Sequence, residues 1–151
     1  MGLLQQMGKG QGYLKGGFLG FPKSGKTYTA ALLAVATARL KGMKGPVAMF
    51  DTEGGSEYIA PLVEKLTGQR MVGVKSRAFD QLCQVAKECR EAGVSVLLVD
   101  SVTHVWRELC DSYLARTNEF RARKGWEARK KLEFQDWGVL KGEWARWTDL
   151  Y

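Results

Sequence analysis

A chain of 151 residues has room for one domain with a real core and too little for two. Apolar residues make up 45% and charged residues 26%, the balance of an ordinary soluble domain, and no apolar run approaches the roughly 20 residues that span a bilayer. A formal net charge of +7 inclines the chain towards polyanions without naming one. The three cysteines (Cys83, Cys89, Cys110) contain no C-x-x-C pair, and with one histidine, His104, they suit buried reduced thiols better than a metal site. The first residues hold no apolar signal core, and Gln6 breaks the myristoylation pattern, so the expectation is a cytoplasmic chain with no membrane attachment.

In chain order, Tyr13 to Gly20 (YLKGGFLG) is a short, Gly-rich apolar run compatible with a buried strand. Thr27 to Leu40 is Ala- and Leu-rich without Gly or Pro, which predicts a helix stopped at Lys41-Gly42. Val47 to Phe50 predicts a buried strand ending at Asp51. Ser56 to Leu66 predicts a helix in which Pro61 opens the last turns or marks a break. Met71 to Val74 reads as a weak edge strand. Phe79, Leu82, Val85, Ala86 and Cys89 fall on one face of a helix over 78–92, and Val94 to Val99 predicts a second buried strand ending at Asp100. Alternating helices and continuously apolar strands argue for an α/β fold with a mainly parallel sheet covered on both faces. From Val105 to Tyr151 no strand pattern appears. Two or three helices are expected there, with a break near Lys124-Gly125 or Gln135-Asp136. The chain thus reads as one domain over 1–151, with an α/β part over 1–104 and a helical, basic, Trp-rich part over 105–151.

Between the first strand and helix lies GFPKSGKT, with the spacing G-x-x-x-x-G-K-T. Gly20 and Gly25 let the backbone curl until successive N–H groups of Phe21, Pro22-Lys23, Ser24 and Gly25 face one concavity (Pro22 itself contributes no N–H). The first turn of the helix, with Lys26, Thr27 and Tyr28, adds its free N–H groups and positive dipole end. Such a loop wraps a phosphate chain. Lys26 reaches the β- and γ-phosphates and the Thr27 hydroxyl takes a place on Mg²⁺. A second carboxylate at a strand end is needed to hold that ion through water, and two candidates exist, Asp100 after VSVLLV and Asp51 after VAMF. DTEG, from Asp51, also fits the D-x-x-G of GTPases, but the N-K-x-D that reads guanine is absent and Asp100 would then have no role.

GFPKSGKT, then VAMFDTEGG, then VSVLLVDS is an order of landmarks that resembles the RecA-like P-loop ATPases, and more narrowly the small AAA-type nucleotide-binding proteins of phages and prophages, some of which act in single-strand annealing and recombination. DTEGGS, LLVDSVTHVW and FQDWGVLKGEW carry the narrower likeness. The resemblance implies ATP and Mg²⁺ as cofactors, Lys26 on the phosphates, Thr27 on the metal and Asp100 on the metal through water. It implies Glu53 as the base that orients the attacking water, Ser101 as a γ-phosphate sensor or a helix cap, and a homo-oligomer in which a neighbour completes the site. It also implies a later strand between the phosphate-loop strand and the one carrying Asp100. The sequence stops at Tyr151 before any such strand, so the expectation is a RecA-like domain that is incomplete at its C-terminus.

Arg121 to Lys131 (RARKGWEARKK) packs six cations and one acid around Trp126. Arg121, Arg123, Lys124, Arg129, Lys130 and Lys131 with an interleaved aromatic suit single-stranded DNA, the charges on phosphates and the ring on a base; the plain alternative is a solvated face anchored by one Trp. Trp137, Leu140, Trp144, Trp147 and Tyr151 fall on one helix stripe, to be buried against the sheet or against another subunit. His104 is read as structural, without a visible partner. The functional expectation is an ATP-binding and ATP-hydrolysing protein acting on single-stranded DNA in phage recombination or repair. The alternatives are a nucleotide-dependent assembly module with negligible turnover and a small P-loop kinase.

Overall fold

The computed structural model describes residues 14–40 and 44–149. Helix α1 spans Lys26–Ala38, strand β1 Val47–Asp51, helix α2 Ser56–Thr67, strand β2 Val72–Lys75, helix α3 Phe79–Glu91, strand β3 Val96–Asp100, helix α4 Val102–Arg123 and helix α5 Asp136–Thr148. The three strands form one parallel sheet in the order β2-β1-β3, with Ala48 opposite Val72 and Asp51 opposite Asp100. This is the doubly covered α/β arrangement that the alternation of elements predicts.

Side-chain alternation along the strands divides the core into two layers. Val47, Val96 and Leu98 face α1 and α2, where Ala31, Ala34, Val35, Ile59 and Val63 are buried. Phe50, Leu97 and Val99 face the other way, towards Phe79 and Leu82 of α3, Val105 and Leu109 of α4, and Leu140 of α5. The central strand β1 is buried at all five positions, which is why VAMFD carries no polar face. Counting by twos from Val96 puts the Asp100 side chain on the α1 side, and that parity brings it to the first turn of α1.

One expectation changes. Residues 14–20 form no strand and are exposed, Leu19 completely and Leu14 at 75%, and Lys15 Nζ donates to the carbonyl of Thr148 at 3.3 Å. Strand formation depends on packing against a neighbour more than on composition. A segment containing Gly16, Gly17 and Gly20 has little to pack and much backbone freedom to lose. Tyr13 lies outside the described residues. Pro61 sits inside α2 without ending it. Both proposed breaks in the tail are real: α4 ends at Arg123, and α5 starts at Asp136. The end of α4 is a Schellman turn, in which Gly125 adopts φ 71° while its N–H reaches the carbonyl of Ala122 and that of Trp126 reaches Arg121.

The aromatic stripe of α5 lies largely in the second layer. Trp144 stacks on Phe79 at 5.5 Å and meets Trp106 edge-on at 5.2 Å, while Trp137, 41% exposed, stacks on Trp106 at 6.5 Å. Tyr151 lies outside the described residues. No described helix is long and apolar enough to cross a membrane.

Candidate nucleotide-binding site

The loop before α1 is shaped by two left-handed residues, Lys23 at φ 63° and Gly25 at φ 84°. Ser24 N–H closes a turn onto the carbonyl of Phe21 at 3.2 Å, and Thr29 N–H starts the helix on the carbonyl of Gly25 at 2.9 Å. Gly25 is the N-cap of α1, so no side chain caps the first N–H groups, and no acidic residue stands in the first turn. An uncapped, acid-free helix start behind a left-handed turn is a concavity of N–H groups with positive dipole, suited to an anion. Lys26 Nζ lies across this concavity and donates to the carbonyl of Phe21 at 2.7 Å. Gly20, Phe21, Pro22, Lys23, Ser24, Gly25 and Tyr28 are exposed, and Lys26 and Thr27 are half-buried.

The two strand-end carboxylates separate cleanly. Thr27 Oγ1 donates to Asp100 Oδ2 at 2.5 Å, joining the first turn of α1 to the end of β3. Asp51 instead accepts N–H groups of its own loop: Glu53, Gly54 and Gly55 on Oδ1 at 3.0, 2.8 and 3.2 Å, and Ser56 on Oδ2 at 2.9 Å. Burial raises its pKa, but these hydrogen bonds, led by Ser56, outweigh burial and bring it down to about 2. Asp51 therefore shapes the loop and Asp100 faces the first turn of α1. The donor set there fits a Mg²⁺-bound nucleotide. Asp100 and Thr27 both offer hard oxygens, and Thr27 turns its proton to Asp100 and its lone pairs away from it. Thr27 and Asp100 would hold Mg²⁺ there, and the ion would supply positive charge to offset that of the phosphates. Gly55 lies beside this pair: a Cβ there would make ordinary contacts, 3.6 Å from Thr27 Cγ2 and 3.7 Å from Asp100 Oδ2.

Between the two strand ends lies a network that sequence reading missed. Thr52 N–H donates to the carbonyl of Asp100 at 2.7 Å, and the Ser101 N–H donates to Thr52 Oγ1 at 2.7 Å. The Asp100–Ser101 peptide is cis, and Ser101 is the N-cap of α4 without a side-chain cap bond. His104, in the first turn of α4, has partners after all: Nδ1 lies 2.9 Å from Thr52 Oγ1 and 3.5 Å from Glu53 Oε1. Arg77 Nε donates to the carbonyl of Thr52 at 3.1 Å, fixing the loop from the other side. The only sequence signals for this network were the closeness of Thr52 to Asp51 and a single histidine one helical turn past a strand-end Asp.

The basic tail is mixed. Arg129 forms an ion pair with the buried Asp136, and Asn118 clamps its backbone, accepting its N–H at 2.7 Å and donating to its carbonyl at 2.9 Å. The Glu133 N–H and the Arg129 guanidinium together hold the Asp136 carboxyl below the usual range. Arg121 Nε donates to the carbonyl of Glu127 at 2.7 Å and its guanidinium lies 5.5 Å over the Trp126 ring. Lys124 lies 5.9 Å over Phe120. Arg123, Lys130 and Lys131 are exposed, and so is Trp126, at 55%. The three cysteines are buried or half-buried, and burial pushes all three thiols up. Among the described residues no group of three His, Cys, Asp or Glu could hold a metal.

A family model described as an AAA domain matches residues 13–150, and the chain belongs to that family. It is an α/β P-loop domain of the nucleotide-binding AAA class. No curated protein and no solved structure matches the chain.

Proposed function

We propose that the chain binds and hydrolyses ATP with Mg²⁺ as a single RecA-like domain, and that it does so on single-stranded DNA in phage recombination or repair. The observation that carries the reading is the 2.5 Å bond from Thr27 to Asp100, which joins the phosphate loop to the metal-side carboxylate across 73 residues of sequence. In this reading the α1 start and Lys26 bind the phosphates, Thr27 and Asp100 hold Mg²⁺, and Glu53 orients the attacking water as general base. Exposed Arg123, Lys130 and Lys131 around the Trp126 ring support contact with a single strand, charge to phosphate and ring to base. Arg129 acts indirectly, by holding that loop against α5.

A nucleotide-dependent assembly module with negligible turnover is the second reading. It is favoured by β3, whose outer edge pairs with no further strand among the described residues, so that a neighbouring chain has a surface to complete. The test is binding of a fluorescent ATP analogue with Mg²⁺, with and without oligothymidylate, to the wild type and Lys26→Ala, together with phosphate release. Loss of binding in Lys26→Ala and tighter binding with DNA are expected. Turnover that Glu53→Gln abolishes while binding persists marks the enzyme; binding and DNA coupling without turnover mark the module.

A further inference from the structure

Glu53 is an exposed loop carboxylate, and a base that orients water must be held in place. Its side chain is 49% exposed, and Asp51, which shapes the loop, touches only its backbone N–H. The side chain's polar neighbour is His104, whose ring is 26% exposed and which sits in the first turn of α4.

Proton accounting fixes the direction of the contact. Thr52 Oγ1 has one proton and two lone pairs, and one lone pair takes the Ser101 N–H. Its proton can go to the carbonyl of Asp100 at 3.0 Å or to Nδ1 of His104 at 2.9 Å. If it went to Nδ1, an unprotonated, electron-rich Nδ1 would stand 3.5 Å from the Glu53 carboxylate with no proton between them. With the proton on the Asp100 carbonyl, Nδ1–H donates to the second lone pair of Thr52 and presents its positive edge to Glu53. Only the Nδ1–H form gives Thr52, the Asp100 carbonyl and Nδ1 a partner each while turning a positive edge towards Glu53.

From this we infer that His104 is a positioning residue for Glu53: its Nδ1–H, anchored on Thr52, holds the carboxylate at the nucleotide end of the sheet. Through Thr52 the same hydrogen bonds run to the backbone of Asp100 and Ser101, so the metal side and the water side of the site share one frame. The inference rests on the proposed role of Glu53 and adds to it the group that sets its orientation.

The experiment compares steady-state hydrolysis and analogue binding for the full chain and for His104→Ala, His104→Asn, His104→Gln, Glu53→Gln and His104→Ala/Glu53→Gln. His104→Ala is expected to lower kcat roughly 10- to 100-fold, as loss of an orienting partner does, with KM for ATP and analogue affinity nearly unchanged. Asn places an amide N–H near the position of Nδ1 and recovers most of the rate, whereas Gln reaches the position of Nε2 and does not. The double variant is no slower than Glu53→Gln alone, because the two side chains act as a unit. If Glu53→Gln abolishes turnover while His104→Ala leaves kcat intact, the positioning role is overturned and Glu53 stands. If kcat of His104→Ala falls only in step with nucleotide affinity, or Asn gives no rescue, His104 is structural and the inference fails. Should His104→Ala lose its fold by circular dichroism, the contrast between Asn and Gln decides alone. Turnover untouched in Glu53→Gln, or absent from the wild type, overturns the role of Glu53 itself and the inference with it.

Discussion

β1 and β3 run side by side and each ends on an aspartate, Asp51 directly opposite Asp100. The two share a residue type, a sheet edge and a face, yet one carboxylate is enclosed by its own backbone and the other is presented to α1. The difference lies in the path of the chain beyond each strand. After Asp51 the chain turns back through Thr52, Glu53 and Gly54, the last at φ 86°, and aims four N–H groups at the carboxylate. After Asp100 the chain leaves as α4, and the first N–H, that of Ser101, goes to Thr52 and not to Asp100. The role of a strand-end acid is thus decided by the backbone downstream of it, because the two strands otherwise treat their last residues alike.

If that contrast holds, substitutions at the two positions diverge. Asp100→Ala is expected to lower hydrolysis on the order of a thousandfold, the loss of several kcal/mol of metal-assisted charge stabilisation, while Tm stays level or rises. Phosphate release beside a melting curve reads both. Asp51→Ala does the reverse first: it leaves loop N–H groups without their acceptor and costs about 3 kcal/mol, which for a chain of this length lowers Tm by roughly 6–12 °C. Equal Tm for the two variants would erase the distinction. Acid tests the enclosed carboxylate next. The folded-state pKa of Asp51 is about 2, below the ordinary value near 3.8, so its stabilisation is fully present above about pH 4 and fades as pH falls towards 2. The loss is about 2 kcal/mol over that window, measurable by urea unfolding between pH 5 and 2, and Asp51→Asn flattens that part of the profile.

How much of this could be read beforehand depends on how local each signal is. GFPKSGKT specifies its own turn and helix start, so the loop was legible, as were strands whose residues are all apolar up to the terminal Asp. Which of the two aspartates faces Thr27 was named only by the family resemblance, because the two share a face and the choice between them rests on the path of the backbone beyond each strand. The Thr52–His104–Glu53 network was invisible for the same reason. Residues 14–20 misled in the opposite direction: Leu14, Phe18 and Leu19 have strand-like composition, but a strand exists only where another strand accepts it.

The tail repeats the contrast between an enclosed and a presented charge, on a smaller energy scale. Arg129 and Lys130 are adjacent, yet Arg129 is locked onto Asp136 and Lys130 is exposed. For single-stranded DNA each phosphate contact contributes about 0.7 to the slope of log affinity against log salt. Lys130→Ala is therefore expected to reduce that slope by about 0.7 and leave Tm unchanged, read by fluorescence anisotropy of a labelled oligothymidylate across a salt series. Arg129→Ala is expected to lower Tm and to weaken DNA binding only as far as the loop carrying Trp126 loosens. A slope unchanged in Lys130→Ala would place the DNA contact elsewhere on the molecule and leave the basic run as a solvated face. A slope reduced equally by both substitutions would mean that the Asp136 pair opens on binding, which hydrogen exchange at Arg129 and Glu133, whose N–H groups are held by Asn118 and Asp136, would report.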